Sequence, residues 1–183
     1  MKNKLLKIKR YFSKIRRASN LSKKEKYVWN DLIQLLDELQ LNYSRNDAEK
    51  TIYLSMSLND DTTVVSFRFT LYGRNLTAGA LIIDNIDVEK TNDMLVLASH
   101  MNAMLPVGNV LVYASKGYVE YFFEMDICRL LLYPDEIYEG MHIHYMFTKD
   151  YILPTFQKMQ NSWEDPIFVF SEFMENYLNR HAE

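Results

Sequence analysis

Four histidines, His100, His142, His144 and His181, and one cysteine, Cys128, are the side chains best suited to metal or nucleophilic chemistry. A zinc site needs three or four converging ligands. His142 and His144 stand two apart in a segment of helical periodicity, so they point to different sides and cannot readily share an ion. His100 flanks an apolar stripe, where a partly buried structural role is expected. Cys128 falls in the apolar run 127–133, where a thiol is expected to be buried and inert. Asp60-Asp61 suits a turn, and Asp135-Glu136 suits the first turn of a helix. The five glycines, at 73, 79, 108, 117 and 140, are scattered, so no loop is built to cradle phosphate. No Gly-x-Ser-x-Gly occurs, which leaves acyl transfer without a nucleophile elbow. With no nucleophile, base and oxyanion donor brought together, the sequence argues against an enzyme and calls for no cofactor and no metal.

What it offers instead is contact chemistry. The chain holds 10 Met, 13 Tyr and 10 Phe among 183 residues. Methionine is adaptable and recurs at promiscuous binding surfaces, and aromatic residues are enriched in interface cores. Most of them are expected simply to fill a core. Tyr118–Asp126 is different, because it alternates with large groups on both sides. Val119, Tyr121, Phe123 and Met125 share one face, and Tyr118, Glu120, Phe122 and Glu124 the other. Tyr118 and Phe122 therefore need a cover: a helix, a second subunit or a client. With Met101 and Met104 on the preceding helix, they are the candidate partner-binding residues.

The surrounding elements can be read in order. Ser22-Lys23-Lys24-Glu25 is a capping box that opens a helix with Val28, Leu32, Leu35, Leu36 and Leu39 on one face. Three strands follow. Ile52, Leu54, Met56 and Leu58 alternate in the first, Val65, Phe67, Phe69 and Leu71 in the second, and residues 78–84 form the third. Turns at residues 59–62 and 73–75 join them into a meander with one polar face. Met94, Leu97, Ala98, Met101 and Leu105 stripe a second helix that stops before Pro106. A strand over 107–114 and a tight turn at Ser115-Lys116-Gly117, with glycine in the left-handed region, lead into Tyr118–Asp126. Residues 127–133 are read as finishing that strand. Pro134 then starts a helix through Ile137, Met141, Tyr145, Thr148 and Ile152, which Pro154 should kink or end. After a break at residues 163–166, a last helix carries Phe170, Phe173, Met174, Tyr177 and Leu178. Residues 94–115 lack Asp, Glu, Lys and Arg, but Ser99, His100, Asn102, Pro106 and Gly108 make them too polar for a membrane span.

The net charge of −3 conceals a split. Residues 1–26 hold 11 Lys and Arg against one acid, a balance of +10, and residues 27–183 a balance of −13. In the basic arm, Leu5, Ile8, Phe12 and Ile15 form a narrow apolar stripe. Lys7, Lys9, Arg10, Lys14, Arg16 and Arg17 are its candidate polyanion-binding residues. The arm is a basic amphipathic helix for nucleic acid or an anionic membrane, a helix that packs on the acidic body, or a frayed, solvated segment. One cysteine and the absence of an apolar leader fit a cytoplasmic protein.

The helix reaching Asn102, then Leu105-Pro106-Val107-Gly108, a strand, a small-residue turn with glycine, an aromatic strand, Pro134 and a long helix resemble the YbjN-like proteins. That resemblance covers residues 91 to about 157. It implies the fold of type III secretion chaperones and a non-enzymatic, often dimeric, protein-binding role. It transfers no functional residue, because the shared pattern is structural.

The reading is an α+β protein: an antiparallel sheet, built from a three-strand meander plus a hairpin, with helices on one side. The order is α-β-β-β-α-β-β-α with an extra C-terminal helix. Residues 1–21 are a basic arm, 22–160 the domain and 161–183 the added helix. The expected role is binding a protein partner by an apolar groove or sheet face, as a homodimer. The alternative is an adaptor that uses residues 1–20 on nucleic acid or an anionic membrane. A helix with its own cap does not need the arm to nucleate it, and a narrow stripe buries little area. Deleting residues 1–20 should therefore move the melting temperature by only a few degrees, on the order of 1 kcal/mol; calorimetry of the two chains checks this.

Overall fold

A computed structural model of the chain describes residues 23–58 and 63–181. Its centre is a six-stranded antiparallel sheet in the order β1-β2-β3-β4-β6-β5. The strands are β1 (Tyr43–Asn46), β2 (Thr51–Leu58), β3 (Thr63–Tyr72), β4 (Asn75–Ile83), β5 (Asn109–Tyr113) and β6 (Tyr118–Asp126). Alternation decides which face is buried. Ile52, Leu54, Val65, Phe67, Phe69, Leu71, Leu76, Ala78, Ala80, Val119 and Tyr121 all point to one side and lie between 0% and 6% exposed. Their neighbours Tyr53, Ser55, Ser66 and Arg68 point to the other side and are exposed. A one-residue slip would reverse both sets, so the apolar pattern fixes the register.

The helices cover the apolar side. They are α1 (Lys24–Glu38), α2 (Thr91–Met104), α3 (Ile127–Leu132), α4 (Asp135–Phe147), α5 (Leu153–Asn161) and α6 (Pro166–His181). Val28, Trp29, Leu32 and Leu36 of α1 and Met94, Leu97, Ala98 and Met101 of α2 are buried against the sheet and its neighbours. Among the described residues, no helix is long and apolar enough to cross a membrane.

Several expectations change. The meander has four strands, because Tyr43–Asn46 pairs with β2; at four residues it is too short for periodicity to reveal. Residues 127–133 do not extend β6. The Asp126 carboxylate accepts hydrogen bonds from the Cys128 and Arg129 amides and so caps a helix, α3. Cys128 is consequently half-buried on a helix, with the Lys24 ammonium 3.7 Å from its sulfur, rather than buried in a strand. The helix α2 has no side-chain cap, since a 3-10 turn, Val88–Lys90, runs straight into it. Before Pro154 the chain widens into a π-helical turn, Thr148–Ile152. Proline brings no N–H and crowds the carbonyl four residues back, and an i to i+5 turn is one way to relieve both. The helix α1 starts at Lys24; Ser22 of the capping box and the turn at 59–62 lie outside the described residues.

One turn has the chemistry expected of it, and a second glycine, in a stretch expected to be strand, also lies in the left-handed region. Gly117, at φ 72°, closes the β5–β6 hairpin by donating its N–H to the Tyr113 carbonyl at 2.8 Å. Gly108, also at φ 72°, follows Pro106. A Cβ there would lie 2.6 Å from the Tyr121 ring, so the close approach also demands glycine.

Tyr121 is wholly buried, and its hydroxyl donates to the Val107 carbonyl at 2.9 Å. Its ring stacks on His144 of α4 at 4.9 Å between centroids. The His144 Nε2 lies 3.2 Å from the Tyr121 carbonyl. That contact assigns the proton to Nε2 and leaves Nδ1 without a hydrogen-bond partner. Burial pushes the His144 pKa down to about 4. The fold therefore holds this imidazole neutral, whereas the unfolded chain takes up a proton below about pH 6.5. Its contribution is complete above pH 6.5 and is lost as the pH falls from there towards about 4. The loss has an upper bound of roughly 3 kcal/mol. Chemical denaturation at pH 7.5 and pH 5 should show this decline in the wild type and a smaller one in His144→Phe.

Candidate functional site

The outer face of the sheet is the surface that the helices leave open. Its cross-strand rows follow from the register. Tyr53 pairs with Arg68, Arg68 with Gly79, Gly79 with Phe122, and Phe122 with Asn109. In the next row Leu81 and Leu111 flank Glu120, and beyond it Tyr118 pairs with Tyr113. The two tyrosine rings stack at 4.3 Å. Burial, followed by the Glu120 carboxylate and Tyr118 beside it, raises the Tyr113 phenol above its ordinary pKa.

At the middle of this face the Arg68 guanidinium donates to the Glu120 carboxylate at 2.7 Å. The Glu120 side chain is only 9% exposed, against 48% for Arg68. A carboxylate so covered on an open face needs room as well as a partner. Gly79 supplies the room: a Cβ at that position would lie 2.3 Å from the Glu120 oxygen. Glycine between Arg68 and Phe122 thus lets the two charges meet across the strand that separates them. Around the pair lies a cavity of about 330 Å³, walled by Tyr53, Ser66, Leu81, Asp84 and Tyr118. Two carboxylates and one guanidinium line it, together with aromatic and aliphatic groups. Such a surface can bind, by apolar contact around a fixed ion pair.

The other singled-out residues are dispersed. Tyr118 and Phe122 are half-buried on the open face. Met101 is fully buried in the core and so presents nothing to a partner, while Met104 is 49% exposed at the end of α2. Lys7, Lys9, Arg10, Lys14, Arg16 and Arg17 lie outside the described residues. His100 is exposed rather than partly buried, its ring 5.3 Å from Phe170. His142 is exposed beside Tyr138, while His144 is 1% exposed, so the pair does point to different sides. Among the described residues, no group of three or more His, Cys, Asp or Glu could hold a metal ion.

The C-terminal helix does not cover Tyr118 and Phe122. It packs on α2 and α5, with Val169 and Phe173 buried. Lys90, 3% exposed, ties down the connection before it: its ammonium donates to the Ser162 carbonyl and sits 4.0 Å from the Trp163 ring centre.

Sequence reasoning placed Glu120 on the same face of its strand as Tyr118 and Phe122 without joining it to Arg68. The missing quantity was the register across β3, β4 and β6. Gly79, inside an apolar strand, was the available signal, since glycine there marks a close approach.

No protein-family model matches the chain, and no curated protein matches it. Among solved structures, the chain is similar to the crystal structure of YbjN, a proposed transcription regulator from E. coli. The two share 9% identity at a TM-score of 0.49, over 70% of this chain and 91% of that one. No residue's role follows from that likeness.

Gly79→Ala should push the Glu120 carboxylate off Arg68 and cost about 1–3 kcal/mol, the penalty of a covered charge losing its partner. In a Glu120→Ala background the same change should cost close to nothing. A double-mutant cycle by urea denaturation reads the difference.

Proposed function

We propose that this chain is a non-enzymatic protein-interaction module that holds a protein partner on the open face of its sheet. Arg68 and Glu120 sit at the centre of the contact, with Tyr53, Leu81, Tyr118 and Phe122 around them. One observation carries the reading: Tyr118 and Phe122 stand on a face that no described helix covers. Large apolar groups surrounding a polar centre mark an interaction surface more often than a bare exterior. The ion pair adds selectivity. A partner that cannot replace the water on Asp84 and Glu120 pays for stranding their charge. In the isolated protein the occupant is a second copy, since the two-fold dimer is the commonest assembly and presents one face to itself.

Light scattering at micromolar concentration should give about twice the monomer mass for the wild type. Tyr118→Ser with Phe122→Ser should return the monomer mass, with little change in melting temperature because both side chains are half-buried. A dimer untouched by the double substitution would place the interface elsewhere and sink the reading. Binding governed by the basic arm would instead fall steeply with salt, as counterion release requires.

A further inference from the structure

The cavity on the open sheet face holds more negative charge than the fold itself uses. Asp84 and Glu120 line it with one guanidinium, Arg68, which leaves one negative charge over. The Glu120 side chain is 9% exposed, yet among the described residues its carboxylate accepts one hydrogen bond, from Arg68. An ionised carboxylate can accept about four. A covered charge with spare acceptor capacity calls for a further donor.

Asp84 reaches the same cavity through an irregularity in β4. Leu81 pairs with Glu120 but Ile83 with Val119, so two steps along β4 match one along β6. In an unbroken strand residues 79, 81 and 83 would share the outer face, and residue 84 would turn to the covered side. Past the bulge Ile83 stands opposite the buried Val119, and Asp84 turns outwards, exposed, to line the cavity. Bulges recur beside binding sites, where they re-aim a side chain. The carboxylate delivered in this way makes no hydrogen bond or ion pair among the described residues.

Aromatic rings complete the lining: Tyr53 is 49% exposed and Tyr118 half-buried. At about 330 Å³ the cavity is at the small end of ligand pockets, which suits one side chain. We propose that the partner held on the open face presents an arginine, whose guanidinium enters this cavity between Asp84 and Glu120 with its flat side on a tyrosine ring. The proposal rests on the open-face reading and adds the chemistry of the partner. A guanidinium fits the lining better than an ammonium. Its planar fork of N–H donors serves both carboxylates at once, and its weakly hydrated face stacks on an aromatic ring. It neutralises the remaining charge without displacing Arg68, whose bond to Glu120 engages a single carboxylate oxygen.

The test titrates the full chain, labelled with nitrogen-15, with acetyl-leucyl-arginyl-leucinamide and with its citrulline counterpart, which keeps the shape and lacks the charge. A second copy competes equally with both peptides, so they are compared at one protein concentration. The arginine peptide should bind at least about tenfold more tightly, because hydrogen bonds between charged groups are the strong ones. It should shift the amide signals of Gly79, Leu81 and Glu120. A lysine counterpart should fall between the two. Asp84→Asn should reduce the preference for arginine several-fold and leave the melting temperature in place, because that side chain is exposed. Equal binding of arginine and citrulline peptides, a preference indifferent to Asp84→Asn, a lysine peptide as tight as the arginine one, or no shift on this face would each overturn the proposal. The open-face reading is judged separately, by the mass of the chain with Tyr118→Ser and Phe122→Ser, so loss of the arginine preference alone leaves that reading standing.

Discussion

The structure depends on one buried side chain more than on any other, Tyr121. Its hydroxyl holds the Val107 carbonyl, its ring stacks on His144, and its own carbonyl faces the His144 Nε2. The loop after α2, a central strand and the main covering helix are thereby fixed to one another. The arrangement works only because Gly108 leaves the ring room. Next to it Asn102 acts as a substitute strand residue: its amide donates to the Val110 carbonyl at 2.9 Å and accepts from the Val110 N–H at 2.7 Å. Those bonds pair backbone groups at the start of an edge strand that would otherwise be left open. The cost is a neutral imidazole with an unbonded nitrogen in the core. The fold tolerates it at neutral pH because burial keeps the proton off.

From this knot follows the one-sidedness of the molecule. All the covering helices lie on the side to which Tyr121 points, so the opposite side of β6 is left with Tyr118, Glu120 and Phe122. A single layer of helices is enough to bury the apolar residues of β2, β3 and β4. Nothing in the described part of the chain is left to shield the other face. Glu120 and Arg68 make that face tolerable by placing a paired charge amid its aromatic groups, and Gly79 makes the pair sterically possible. The same three residues that keep the surface wettable also give it a recognisable centre.

Much of this was legible in the sequence. Alternation in β2, β3 and β6 named the buried sets, since a strand's side chains have a period of two. The α2 stripe and the left-handed glycine of the β5–β6 hairpin followed from equally local rules. What escaped was short or non-local. Four residues of β1 carry no usable period. The run after Asp126 reads as strand by composition, and only the aspartate's bonds to two amides turn it into helix. Met101 looked like a contact residue because its type suits interfaces, but type does not report which side of a helix faces the core. The Arg68–Glu120 pair required a register spanning 52 residues of chain, information that no single window contains.

The flanks of the sheet bear on how such a molecule stays discrete. Its outermost strands, β1 and β5, are four and five residues long, while the inner ones run from eight to ten. Unpaired backbone along a sheet's border is a template on which further chains can add without end. Keeping both borders short limits that growth at its source. Open-ended stacking along the sheet's borders is thereby discouraged. Short borders of this kind let a chain so rich in aromatic residues keep an open sheet face without offering a long strand edge to its neighbours.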